Sequence, residues 1–147
     1  MAKSTGVAWT TLGVGDSSNA IQDIRNDITN FQFAMPRGVQ DVTGIDKSAI
    51  ERLLLLADFS MTLNCVFNSA ATTSVHAVFK TVPSTSVPRA LTLTVTGTVA
   101  ANLNLGTAGA GNGAVLFTDY PLTRSQAGEF TTSIPGVLAN GAVPTWS

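Results

Sequence analysis

An all-β fold, a sandwich or barrel of two packed antiparallel sheets with one short flanking α-helix, is what this sequence predicts. Two observations carry that prediction. Runs such as Phe59-Ser60-Met61-Thr62-Leu63-Asn64-Cys65 and Leu91-Thr92-Leu93-Thr94-Val95-Thr96 alternate apolar and uncharged polar residues, the period of a strand with one buried and one wet face. Turn clusters separate such runs, and only one stretch has clear helical spacing. The wet positions hold Ser, Thr and Asn rather than Lys and Glu. A neutral, hydroxyl-rich sheet face suits assembly, or the lining of a passage, better than catalysis.

Along the chain, residues 1–6 lack a core-forming pattern and read as a loose start. Residues 7–14 read as a first strand, ended by the turn cluster Gly15-Asp16-Ser17-Ser18-Asn19. Residues 20–26 can form a second strand, with Asp23, Arg25 and Asp27 on one parity and Ile21 breaking that face. In 28–35, Phe31, Phe33 and Met35 point one way and Asn30, Gln32 and Ala34 the other; Pro36 then limits pairing, because it donates no ladder hydrogen bond. Residues 37–57 give mixed signals. Ser48-Ala49-Ile50-Glu51 fits a capping box ahead of a Leu-rich run, yet that run flows into the strand at Phe59. The expectation is a long loop with one helical turn, and long structured loops in compact domains are usually functional.

Ser74 caps the predicted helix, whose Val75, Val78, Phe79 and Val82 share one face and which Pro83 ends. Strands follow at 89–96, 113–119 and 129–135. Between the first two, residues 97–113 are rich in Gly, Ala, Asn and Thr and read as a mobile loop. The tail has a turn signal at Asn140-Gly141 and a terminal Trp146, with too few residues beyond the turn for another strand. The total is about seven strands in one domain spanning 1–147.

Composition narrows the function classes. Of 147 residues, 44% are hydrophobic and only 12% charged, about half the usual charged share. Much of the surface is then expected to lie against other subunits, since obligate interfaces resemble a core cut in half. Eight Lys plus Arg against nine Asp plus Glu give a net charge of −1. No basic run offers a grip on phosphates. Cys65 is the one cysteine, so it has no intrachain disulfide partner; it reads as a plain buried thiol made in a reducing compartment. No apolar run approaches the ~18–20 residues of a membrane span, and no signal-peptide core follows Lys3. Membrane insertion is not expected, and the chain reads as made and kept in the cytoplasm until assembly.

Candidate chemistry is sparse. His76, the sole histidine, has no second ligand-type residue at metal spacing and reads as a helix-packing side chain. Asp23, Asp27, Asp41 and Asp46 lack the order of a calcium loop and read as surface or interface charges. Gly106, Gly109, Gly111 and Gly113 are closely spaced, but no Lys-Ser/Thr and no helix follow, which argues against a phosphate cradle. Residues 118–125 are either a turn or an interface corner. Trp9 and Trp146 are either core or interface anchors. No catalytic, cofactor or metal site is expected.

The order of these features resembles a major tail (tail tube) protein of long, non-contractile-tailed bacteriophages. The resemblance rests on Ile28-Thr29-Asn30-Phe31-Gln32-Phe33, Asp41-Val42-Thr43-Gly44-Ile45-Asp46 and the run from Leu56 through Asn68. It continues through the helix segment from Val75 to Val82, Asp119-Tyr120-Pro121-Leu122-Thr123-Arg124, and Asn140 through Trp146. It departs from the family in a longer Gly/Ala-rich stretch around 102–113, and in Cys65 where a glycine is frequent. It implies two packed sheets with a flanking helix, hexameric rings stacked into a hollow tube, and DNA passing through the lumen to the host without specific binding. It further implies tape-measure and tail-terminator or tail-tip partners, and residence in the virion tail after assembly in the host cytoplasm.

Physical reasoning adds candidate residues to that reading. A conduit for DNA should be neutral or acidic inside, which makes Asn30, Gln32, Thr92, Thr94, Thr96, Asp23 and Asp27 lumen-facing candidates. Apolar residues and charges of both signs in 37–57 make Arg37, Asp41, Asp46, Lys47, Glu51, Arg52, Leu53 and Leu54 inter-subunit candidates. Residues 1–6 and Trp146 are candidates for stacking between rings. The alternative is a non-enzymatic β-sandwich that recognises carbohydrate or a surface partner, for which only Tyr120 and the two Trp residues supply an aromatic platform.

Overall fold

The alternating runs fold into two antiparallel sheets that face each other across one core. The structure, a computed structural model, describes residues 9–97 and 99–147; the expectations for residues 1–6, and the start of the first strand, lie outside them. In chain order the strands are β1 (Trp9–Gly15), β2 (Ile21–Asp23), β3 (Ile28–Ala34), β4 (Arg37–Asp41), β5 (Arg52–Ala57) and β6 (Ser60–Val66). Helix α1 (Val75–Phe79) follows, then β7 (Leu91–Val95), β8 (Ala101–Leu105), β9 (Val115–Phe117), β10 (Thr123–Arg124) and β11 (Phe130–Leu138). The first sheet has the order β2-β1-β7-β8. The second runs β10-β11-β6-β3, with β9 also paired to β11. The all-β class with a single short α-helix is the one expected.

Period two dictates the core. Leu12, Val14, Leu91, Leu93, Leu103 and Leu105 enter it from the first sheet, and Met61, Leu63, Cys65, Val115, Phe117 and Ile134 from the second. Trp9, Phe31, Phe33 and Phe59 form a chain of tilted rings with centroids 4.9–5.9 Å apart. Phe31 and Leu93 therefore point inward, as the alternation requires. Helix α1 buries Val75, Val78 and Phe79, with the Phe79 ring edge-on to Phe117 at 4.9 Å.

Five residues make a weak helix by themselves, and α1 is held at both ends. Ser74 Oγ accepts from Ala77 N at 3.1 Å. The Asp27 carboxylate, 3% exposed, accepts from Val75 N at 2.9 Å and Asn68 Nδ2 at 3.0 Å. Beyond the other end lies Arg89, 2% exposed. Its guanidinium donates to the carbonyl of Val78, to Gly15 O at 3.3 Å and to Thr81 Oγ1 at 3.0 Å. Burial pulls its pKa below the usual arginine value.

Two expectations are corrected. Residues 37–57 are not a loop with a helical turn but a two-stranded hairpin, β4–β5, which extends the β3–β6 ladder past Pro36. Asp58 N donates to Pro36 O at 3.0 Å and keeps the two ladders continuous. The capping box fails because Glu51 N, its intended helical donor, is taken across the hairpin by Thr43 Oγ1 at 2.8 Å, while Glu51 O accepts from Val42 N at 3.0 Å.

The second correction concerns 97–113. Its middle is β8, paired to β7 from Leu91↔Leu105 to Val95↔Ala101. The remainder, 106–113, folds back on Asn19. That side chain is fully buried. Its Oδ1 accepts from Ala90 N at 2.7 Å, and its Nδ2 donates to Thr107 O and Gly109 O at 2.9 and 2.8 Å. Gly106, Gly109 and Gly111 have positive φ, so the glycines serve the tight return of the chain. Asn19→Ala orphans the buried Ala90 amide and releases the part-buried carbonyls of Thr107 and Gly109, and should cost about 1–3 kcal/mol. Thermal unfolding checks the loss, and hydrogen exchange should accelerate first at 107–109. Unchanged exchange there would refute the anchoring role.

Candidate assembly surfaces

The β4–β5 hairpin is the most exposed element. Every residue of β4 is exposed, as is β5 from Arg52 to Leu56. A strand buried on one face alternates, but Leu53, Leu54, Leu55 and Leu56 all meet solvent, Leu56 at 92%. The cross-strand pairs Val39↔Leu54 and Gln40↔Leu53 put apolar groups on both faces of this arm. At its root, Arg37, Gly38, residues 54–57 and Val143 line an open apolar groove of about 790 Å³. Arg37 Nε donates to Leu55 O at 2.9 Å.

Near the tip, the Asp41 carboxylate accepts from the Thr43 hydroxyl and amide, which hold it below the usual carboxylate pKa. Lys47 and Glu51 pair at 3.6 Å. Asp46 and Arg52 are exposed. The structure thus brings the inter-subunit candidates Arg37, Asp41, Asp46, Lys47, Glu51, Arg52, Leu53 and Leu54 onto one projecting element. Trp146 lies elsewhere, half exposed on the β8 edge, bridged to Leu103; Asn102 N and Ser147 O complete that short pairing at 3.0 Å.

The lumen candidates divide. Asn30 and Gln32 lie on the outer face of the second sheet, where Asn30 and Asn64 are cross-strand partners joined through their amides. Thr92 and Thr94 alternate with buried Leu91 and Leu93, so they lie on the outer face of the first sheet; Thr96 follows that strand and Asp23 ends β2. The outer faces of a sandwich point in opposite directions, so these two sets cannot line one passage. Asp27 leaves the set altogether, because its carboxylate is spent on the α1 N-terminus and Asn68. The second sheet's outer face adds Ser60, Thr62, Thr131 and Ser133, and no charged side chain alternates into it along β3, β6 or β11.

His76 is also accounted for by packing. Its Nδ1 lies 3.1 Å from the Tyr120 hydroxyl, and its ring sits 5.1 Å from Phe67. Burial first, and the Asp27 charge second, push the Cys65 thiol up to about 12. Native protein should therefore resist iodoacetamide at pH 8 and react once unfolded. The unfolded thiol ionises near 9.0, the folded one near about 12. The folded state keeps the extra proton in that window, so stability falls as pH rises across it, by up to about 1.4 kcal/mol per unit. Rapid alkylation of native protein would contradict this. Among the described residues, no group of three or more His, Cys, Asp or Glu could hold a metal, and no helix is long and apolar enough to cross a membrane.

The fold and its arm define a class: an all-β sandwich with one flanking helix and a long projecting hairpin. A chain from the tail of an empty gene transfer agent particle with C6 symmetry superposes with a TM-score of 0.69 at 13% identity, covering 99% of both chains. A chain from the virion of a native gene transfer agent particle gives 0.67 at 14% identity, again over 99% of both. This chain therefore has, over its whole length, the fold of chains from phage-like tail particles, as the tail-tube resemblance implied. No family model and no curated protein matches the sequence.

Proposed function

We propose that this chain is the structural repeating subunit of a virion tail tube. Copies form rings, six to a ring in keeping with the symmetry of the gene transfer agent tail, and the rings stack into a hollow passage for DNA. The arm is the observation that carries this reading: a solvent-exposed hairpin with apolar groups on both faces is a liability for a lone subunit and an asset for a polymer. The full-length fold likeness supports it.

The second sheet is the lumen wall in this reading. Its outer face, with Asn30, Gln32, Thr62 and Asn64, holds neutral amides and hydroxyls that release DNA rather than grip it. Its β3 edge has no partner strand among the described residues, and pairing with a neighbour there removes the free ladder. Thr92, Thr94 and Asp23 then face outward. Trp146 is an inter-ring contact, and tape-measure and tail-end proteins are the further partners.

Electron microscopy of purified protein at rising concentration tests the proposal. Ring stacks or tubes of uniform diameter are expected. A persistent monomer at high concentration would overturn it and favour a binding module instead.

A further inference from the structure

We propose that the Asn140-Gly141 pair is a site of spontaneous backbone modification, which converts Asn140 to isoaspartate and frees the segment beyond it from the β8 edge. The inference goes beyond the tube reading and does not depend on it.

The chemistry is intrinsic to asparagine followed by glycine, whose missing side chain leaves its nitrogen open to approach. The Gly141 amide nitrogen gives its proton to hydroxide and attacks the Asn140 side-chain carbon Cγ. The N–Cγ bond forms, the Cγ–Nδ2 bond breaks, and Nδ2 leaves as ammonia with a proton from water. Water then opens the cyclic imide. Cleavage at Cγ gives aspartate; cleavage at the backbone carbonyl gives isoaspartate, whose main chain runs through Cβ and Cγ. The only co-reactant is water.

The chain has two Asn-Gly pairs, Asn112-Gly113 and Asn140-Gly141, and the structure separates them. Asn140 and Gly141 are both exposed. Ala142 N donates to Asn140 Oδ1 at 3.0 Å. This Asx turn closes a small ring that contains both Asn140 Cγ and Gly141 N, and the donor supports the oxyanion that attack creates. Among the described residues Gly141 N donates to no partner. The space about Gly141 is open, for a Cβ there would meet no atom within 4 Å.

Asn112 is pinned instead. Its N donates to Gly109 O at 3.2 Å, its O accepts from Thr107 N at 2.9 Å, and its Nδ2 donates to Ala108 O at 3.2 Å. Gly113 is buried and lies so close to the Pro88 and Arg89 backbone that a Cβ would collide with it. The rotation that carries the nitrogen onto Cγ is blocked there and free at Asn140.

The consequence falls on β8. The turn at Asn140 returns the chain to buried Pro144 and then to the sheet edge. There Ser147 N donates to Asn102 O at 2.9 Å, and Asn102 N to Ser147 O at 3.0 Å, beside the Trp146↔Leu103 bridge. An isoaspartate lengthens the main chain by a carbon and dismantles the Asx turn, so the return is mis-set and this pairing weakens.

Folded protein held at pH 8 and 37 °C tests the site. Peptide mass spectrometry should find a gain of about 1 Da at Asn140, from NH2 replaced by OH, that accumulates faster at higher pH. Asn112 should react at least about tenfold more slowly, and match Asn140 once the chain is unfolded in denaturant. Asn140→Gln should remove the gain from folded protein. The isoaspartyl form, separated by chromatography, should exchange its Asn102 and Ser147 amide protons faster than wild type. Asn140→Asp, which keeps the backbone and the acceptor, should not. Equal gain at both pairs in folded protein, or none at Asn140, would overturn the site. Unchanged exchange in the isoaspartyl form would overturn the release from β8. Each readout is made on the single subunit, so failure here and failure of the tube reading are told apart.

Discussion

Replacing Leu54 and Leu56 together with aspartate should abolish polymerisation while leaving the subunit folded. Both side chains are solvent-exposed in the single subunit, so their loss removes no core contact. Surface substitutions of this kind change stability by about 0.5 kcal/mol or less. In the tube proposed above the two leucines would be buried at every copy, and each buried leucine is worth roughly 1.5–3 kcal/mol. Placing a carboxylate there adds a desolvation cost. Sedimentation should find the double variant entirely in the supernatant at concentrations where wild type pellets, with a melting temperature within about 2 °C of wild type. Removing residues 42–49 should have the same signature. Normal tubes from either variant would show that the arm is dispensable.

Arg89→Ala should produce the opposite pattern, a loss in the subunit itself. The guanidinium ties the end of α1 to β1 through Val78 O and Gly15 O. Removing it leaves buried acceptors without a donor, at about 1–3 kcal/mol each, and opens a cavity. A total of about 3–5 kcal/mol corresponds to a fall of roughly 10 °C in melting temperature for a chain of this size. Arg89→Lys should recover only part of it, because a single ammonium cannot reach all three acceptors as the planar fork does. A melting temperature within 2 °C or so of wild type for Arg89→Ala would mean that α1 is held by its apolar face alone.

The elements that sequence reading located are those whose burial is one-sided. β3, β6 and β7 alternate cleanly, and α1 carries Ser74 and an apolar stripe. β8 was hidden because Asn102-Leu103-Asn104-Leu105 is a short alternation set among alanines and glycines. The arm was hidden for a different reason. β5 has no dry face, so Leu53 to Leu56 show no period, and the local capping signal at 48–51 stood without a competitor. Apolar residues with both charge signs still set 37–57 apart from the core strands, and the structure shows those side chains exposed. The lumen set could not be read in full, because alternation tells which residues leave the core but not which outer face of the sandwich receives them. Asp27 was missed as a helix anchor, and Arg89 was not singled out, because their partners lie far along the chain or on another element.

The continuity of the arm with β3 and β6 has a mechanical consequence. A pull on the arm along its length is delivered to both strands of one hairpin at the same end, so their mutual hydrogen bonds are not the ones strained. The load passes to the β6–β11 ladder, which runs unbroken from Val66↔Thr131 to Ser60↔Val137. Those bonds lie across the direction of pull, so they must yield together rather than one after another. A filament of such subunits, bent or stretched, would carry tension through the longest unbroken ladder of the sandwich, and the arm would act as a tether anchored there.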